Sequence, residues 1–467
     1  YDEANSGAWQ GIDYNGDPWV FNVSRPYFVT AGLQNRHLSL WASHGRYYYA
    51  DRDVWKWQRP NLFCTNEDLF TQTIVVPYLI PMLQNAGAIV FTPRERDWQR
   101  NEIVIDNDDA VKSVYYFEKE ASKRWKKCDS LGFANRYRLK DGENPFRMGT
   151  VRQAKATKRK KTSQVSYQPR FKEAGKYAVY VSYQSLPKSV SDARYIVYHK
   201  GEATEFSVNQ RMGGGTWVYL GTFDFDKGCN EFNRVVCTNK ASRRGVVTTD
   251  AVRFGGGMGN IERGGYTSGL PRCLEGARYY AQWAGAPYKV YGGRKGENDY
   301  ADDINTRSLM TNWLGGGSVY MPARKGKHVP IELSLALHSD AGYNRDGKST
   351  FGALAICTTD YNDGILNSGI SRFTSKDFAR ALRDNLVTDL TAQFGEFGKR
   401  YLWDRNYSET RLPEVPSAIL EMLSHQNFPD MRIAQDPLGK FYIARSIYKT
   451  ILRFVNSNHG TRYVVQP

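Results

Sequence analysis

Cysteine is sparse: six residues in a chain of 467, Cys64, Cys128, Cys229, Cys237, Cys273 and Cys357, with no CxxC pair and no zinc-ribbon spacing. A thiolate metal cluster is therefore not expected. Cys229 and Cys237 flank the short strand-like run EFNRVV, where a bridge and a pair of free, half-buried thiols both fit. Long apolar runs are missing too, since none approaches the roughly 18 residues of a membrane span, so no transmembrane segment is expected. No helix-turn-helix, RNP or zinc-finger pattern surrounds the basic run VRQAKATKRKKT, which reads as a solvated loop or hairpin tip, and nucleic acid is not an expected partner. Neither methionine nor an apolar export segment opens the chain at Tyr1, a beginning shared by processed export products and trimmed chains.

What is present describes a globular protein of more than one unit. Hydrophobic residues at 41% and charged residues at 24% exclude wholesale disorder. At a prior of about 150 residues per domain, the length suggests two or three units. The 31 tyrosines and 11 tryptophans supply flat amphipathic rings of the kind that meet sugars or other extended ligands. A formal charge of +16 favours anionic partners such as acidic polysaccharide or cell-wall polymer.

Periodicity divides the chain. An irregular, Gly- and Asn-rich lead-in covers 1–33. LSLWAS at 38–43 reads as a buried strand ending in His44-Gly45, a helix begins near Asn66, and GAIVFT reads as a second strand. Between 103 and 256 the pattern turns to period-2, Tyr- and Val-rich segments such as KYAVYVSY, ARYIVYH and TDAVRF, which indicates an antiparallel sandwich. From 257 to 467 strands and helices alternate again. VPIELSLALHSD ends in His338-Ser339-Asp340, FTSKDFARALRDNLVTDLTAQF reads as a helix with Ser375 as N-cap, and VPSAILEML carries Glu421. The expected fold class is an α/β domain, 34–102 and 257–467, interrupted by a β-sandwich at 103–256.

Four scattered residues carry the chemistry. His44 and His338 both follow apolar strands, so a parallel sheet would bring them to one carboxyl edge. With Glu67 at the start of a helix they make two imidazoles and a carboxylate, a set that holds Zn2+ while leaving a position for water. Glu421, beside apolar neighbours, is the expected general base and later acid. Asp51, Asp53 and Asp68 are alternatives to Glu67 as third ligand. Tyr47, Tyr48 and Tyr49 either stack on substrate or pack beneath the loop after His44, and His425 is near enough in sequence to Glu421 to line the same cleft.

The runs LSLWASHG, VFTPRERD, SLALHSDAG and VPSAILEML, with Glu67, resemble the zinc-dependent N-acetylmuramoyl-L-alanine amidases. The resemblance implies a three-layer sheet-and-helix domain that cuts the amide between muramic acid and the stem peptide. It also implies His44, Glu67 and His338 as metal ligands and Glu421 as the catalytic residue. Arg94, Arg307, Asn312 and Asp340 would be substrate-binding, and the enzyme would be secreted or periplasmic with a peptidoglycan or muropeptide partner. The inserted segment resembles the carbohydrate-binding-like golvesin sandwich, which implies a glycan partner there.

Two other readings compete. A zinc peptidase of the cell envelope would use a similar site, although the HxxE ligand pair of metallocarboxypeptidases is missing, with Tyr47 at that spacing after His44. A non-catalytic glycan-binding protein would use the sandwich and keep the α/β body as scaffold.

Overall fold

The computed structural model describes residue 9 and residues 11–25, 29–30, 32–62, 65–108, 115–121 and 123–465. Cys64 and most of the opening of the lead-in lie outside them. The chain is mixed α/β with several antiparallel sheets beside one mostly parallel sheet.

That sheet has six strands in the order Lys399–Asp404, Ala353–Cys357, Ser417–Ser424, Ile331–Asp340, His37–Ala42, Ile89–Phe91. Its pairings are parallel except for Ala353–Cys357 against Ser417–Ser424. The central strands are apolar nearly throughout because both faces are covered. Leu40, Leu335 and Leu420 pack with Leu382, Leu386 and Ile447 from helices Phe373–Phe394 and Pro437–His459, while Trp41, Ala336 and Ile419 fill the opposite face.

The helical run after Asn66 is one path with several geometries. Asn66 caps it by accepting a hydrogen bond from the Leu69 amide at 2.9 Å. Short α-turns at Glu67–Phe70 and Gln72–Ile74 give way to a π-helical turn at Val75–Leu79 before Ile80–Asn85 returns to α. Pro77 and Pro81 explain the break, since neither can donate to the helical ladder and each crowds the preceding turn.

Ser375 is not the N-cap of the long helix. That helix starts at Phe373, and the Ser375 hydroxyl lies buried inside it, accepting a hydrogen bond from the Ser417 amide at 3.1 Å. Part of the lead-in is also regular, because Val20–Asn22 pairs antiparallel with Glu202–Val208.

Residues from Ile103 to Phe254 form antiparallel ladders, and Val20–Asn22 edges their six-stranded sheet. A four-stranded sheet faces the same core, where Tyr167, Val179, Tyr195 and Val235 interdigitate. The two bodies share buried side chains: Leu314 and Ile331 pack into this core, and Tyr180 packs with Tyr279 and Met310. A buried ion pair crosses the same boundary, with Arg253 Nη1 at 2.6 Å from Glu95 Oε2 and neither side chain exposed. Asp97 adds a hydrogen bond, its Oδ2 accepting from the Ala178 amide at 2.8 Å.

Cys229 and Cys237 are free thiols, so the bridge across EFNRVV is not made. Cys237 is buried at the sandwich core, whereas Cys229 is half-buried beside Gln168. Tyr47–Tyr49 is a strand paired with Val54–Lys56 rather than a free loop. Tyr47 and Tyr48 are buried, Tyr48 against Trp55 and Tyr47 against Tyr300.

Candidate metal centre

His44 reaches its position because the chain turns sharply at the end of strand His37–Ala42. Ser43 has a positive φ of 30° there, and its hydroxyl is fixed by Thr71 Oγ1 at 2.7 Å. Gly45 follows because a side chain would not fit, as an added Cβ would stand 2.5 Å from the Glu275 carbonyl. His338 comes from the neighbouring parallel strand, and Glu67 from the first position of the helix capped by Asn66.

The three side chains meet in the interior. Glu67 Oε1 lies 2.8 Å from His338 Nδ1, and Glu67 Oε2 lies 3.5 Å from His44 Nε2. One donor atom from each of the three falls within 4.8 Å of the others, close enough to share one ion. His44 Nε2 is buried with no hydrogen-bond partner, an expensive state for a ring nitrogen unless a ligand is bound.

Each ring is held from behind by a carboxylate. His44 Nδ1 bonds Asp68 Oδ1, and His338 Nε2 stands 2.9 Å from Glu409 Oε2. A carboxylate behind a histidine fixes the ring and raises the basicity of the nitrogen that faces the ion. This donor set fits a divalent zinc. Asp68 is thereby a partner of His44, while Asp53 accepts from the Tyr48 hydroxyl at 2.8 Å, away from the three donors.

Charge at the site is finely opposed. Burial works against a protonated His338, but Glu409 and Glu67 on its two ring nitrogens outweigh it and lift the imidazolium to about 10. Burial raises Glu409, yet His338 and Arg307 overcome it and hold that carboxylate very low. Burial lowers His44 strongly, with Glu67 pulling the other way.

Glu421 pairs in register with His338 across neighbouring parallel strands. Its Oε2 is buried without a hydrogen-bond partner. Burial pushes its carboxyl up to about 8, opposed by His338 and helped by Glu67, Asp340 and Glu409.

Three residues expected to touch substrate are buried and hydrogen-bonded within the fold. Arg94 is buried, with its guanidinium committed to the carbonyl oxygens of Ala42, Cys273 and Glu275. Arg307 is buried between Asp303 at 2.7 Å and Glu409 at 2.9 Å. Asn312 is buried too, donating to the Leu412 carbonyl and accepting from the Glu414 amide. Asp340 is partly exposed and ion-paired with Arg400. His425 is buried with its Nδ1 2.9 Å from Ser339 Oγ, one residue from His338.

Two residues were not anticipated. Glu409 links His338 to Arg307 and to the Trp41 indole, whose Nε1 donates to it at 2.6 Å. Arg59 stands at the rim with a third of its side chain exposed, its Nε 3.6 Å from Glu67 Oε2. The short polar stretches QRPN around Arg59 and SETR around Glu409 carry no periodic signal and no histidine in sequence beside them.

Residues 141–256 match the family described as the Golvesin C-terminal domain. The xanthan lyase of Bacillus sp. (strain GL1) is 34% identical over 97 residues, which is 20% of this chain and 10% of that relative. The chain therefore aligns with only a tenth of that curated relative's length. Among solved structures, the N-acetylmuramyl-L-alanine amidase of Mycobacterium smegmatis is similar over 37% of this chain and 79% of its own, at 19% identity and a TM-score of 0.25. The N-acetylmuramoyl-L-alanine amidase of Clostridium difficile 630 is similar over 27% of this chain and 59% of its own, at 14% identity and a TM-score of 0.22.

Proposed function

We propose that the chain is a zinc-dependent hydrolase that cuts the amide between N-acetylmuramic acid and the stem peptide of peptidoglycan. In this reading residues 34–102 and 257–467 form the catalytic α/β domain, and 103–256 is an inserted golvesin-like sandwich. One observation carries it: His44 Nε2, Glu67 and His338 Nδ1 converge, and an unpartnered carboxylate atom of Glu421 lies on the adjoining strand. The runs around His44, His338 and Glu421 support the choice of substrate through their resemblance to the amidases, and the net positive charge suits an anionic wall polymer.

Bound zinc would supply Lewis acidity and a water acidified toward neutral pH. Asp68 and Glu409 keep the two imidazoles oriented and basic. Glu421 takes a proton as water adds to the amide carbon, and returns it to the stem-peptide nitrogen as the C–N bond breaks. The products are a lactyl carboxylate and a free amine. A carboxyl pushed up to about 8 suits the second, donating half, and a neighbouring cation lowers that value for the first. Arg59, at the rim beside Glu67, is the cation that meets a substrate carboxylate, and the partly exposed Asp340, paired with Arg400, accepts from substrate amide hydrogens.

The test is amine release from muramyl dipeptide and from stem peptide alone, with zinc-loaded, chelator-treated and Glu421→Ala protein. Cleavage of muramyl dipeptide that needs both zinc and Glu421 is expected. Parent-rate cleavage by Glu421→Ala would overturn its role, and cleavage of the bare peptide would make the protein a peptidase.

A further inference from the structure

A cleft of about 600 Å³ lies where the short edge strand Ile89–Phe91 faces Val20–Asn22 and Val218–Phe225 of the sandwich. None of His44, Glu67, His338 or Glu421 lines it. Its volume suits a small organic ligand.

Arg96 is the charged group of interest. Nine-tenths of it is buried, its Nη2 donates to the Val90 carbonyl, and its guanidinium lies over the Tyr219 ring at 4.2 Å from the centroid. The other terminal nitrogen, Nη1, is buried with no hydrogen-bond partner among the described residues. Asn22 Oδ1, also on the lining, is in the same condition. A buried cation with one edge anchored and one edge unused needs an acceptor, and no aspartate or glutamate is among the described lining residues.

The rest of the lining says what the acceptor is attached to. Phe91, Tyr219 and Phe223 contribute aromatic side chains to the lining, and Asn35 and Thr222 contribute an amide and a hydroxyl. Aromatic faces stack on the C–H faces of pyranose rings, while amides and hydroxyls pair with sugar hydroxyls. A guanidinium lying over a ring, with one terminal nitrogen unpaired beside the cleft, is suited to receive a carboxylate.

We infer that this cleft binds a sugar bearing a carboxylate, with Arg96 on the carboxylate and Tyr219 and Phe223 against the ring. The site is formed jointly by the two bodies, so the sandwich is a ligand-binding partner of the α/β body rather than a separate appendage. This inference does not depend on the hydrolase reading.

Calorimetric titration of the whole chain with N-acetylmuramic acid, glucuronic acid and N-acetylglucosamine tests it. Binding of one or both acids, with the neutral sugar about tenfold weaker or more, is expected. Preference for N-acetylmuramic acid identifies a lactyl ether carboxylate, and preference for glucuronic acid a uronate. Arg96→Gln should abolish the preference for acids, with folding checked by circular dichroism. If that variant does not fold, Phe223→Ser, on a partly exposed strand residue, should weaken all binding sugars alike by about tenfold. Equal affinity for acid and neutral sugars, no saturable binding of any of them, or unchanged affinities in the variants would overturn the inference.

Discussion

The imidazole of His338 lies between carboxylates from opposite ends of the chain: Glu409 Oε2 is 2.9 Å from Nε2, and Glu67 Oε1 is 2.8 Å from Nδ1. One carboxylate shares the proposed metal with the ring, and the other only orients it.

Glu409→Gln should therefore bind zinc weaker by about 10- to 100-fold without losing the site altogether. Competition with a chromogenic chelator measures this. An unchanged affinity would show that Glu409 merely neutralises Arg307.

The boundary between the two bodies depends on a buried ion pair. Removing Glu95 as Glu95→Gln leaves the Arg253 guanidinium charged and buried, so chemical unfolding should show a loss of roughly 3–5 kcal/mol. The double variant Glu95→Gln, Arg253→Met should recover much of that loss.

How much of this was legible in the chain depends on what kind of signal each residue left. His44 and His338 were visible because apolar strands end at them, and Glu67 because Asn66 starts a helix. Glu409 was not, because it sits on the four-residue helix Ser408–Arg411, too short to show a period. Arg94, Arg307 and Asn312 were visible as residues, but their burial was not. Sequence shows that an arginine is present, not that carbonyl oxygens and buried carboxylates already surround it. The antiparallel ladders between 103 and 256 were plain in their alternation, while the pairing of Val20–Asn22 with Glu202–Val208 joins segments too distant for any local pattern to reveal.

Glu275 makes stability depend on pH. Burial pushes its carboxyl up to about 7 from an ordinary 4.5, against the pull of the Ser268 hydroxyl and Arg272. The folded state thus holds this proton more tightly than the unfolded one. The contribution is complete below about pH 4.5 and is lost as pH rises through about 7, a swing on the order of 3 kcal/mol. Glu275→Gln should accordingly melt at a higher temperature than the parent at about pH 8.5, with the gap closing near pH 4. A gap that is the same at both pH values would show that the carboxyl does not titrate in this window.

His44→Ala should lose zinc and activity together yet stay folded, since the partners of its ring, His338, Asp68 and Glu67, all belong to the site rather than to the apolar core. Elemental analysis beside circular dichroism separates the two effects. Retained zinc at parent stoichiometry would mean that Asp68 or Arg59's neighbours can replace the ring.

The central claim is tested most directly by an anomalous difference map recorded at the zinc absorption edge from crystals grown with zinc. The account predicts one strong peak enclosed by His44 Nε2, the Glu67 carboxylate and His338 Nδ1. A map with no peak there, or with its strongest peak bound by other residues, would contradict it.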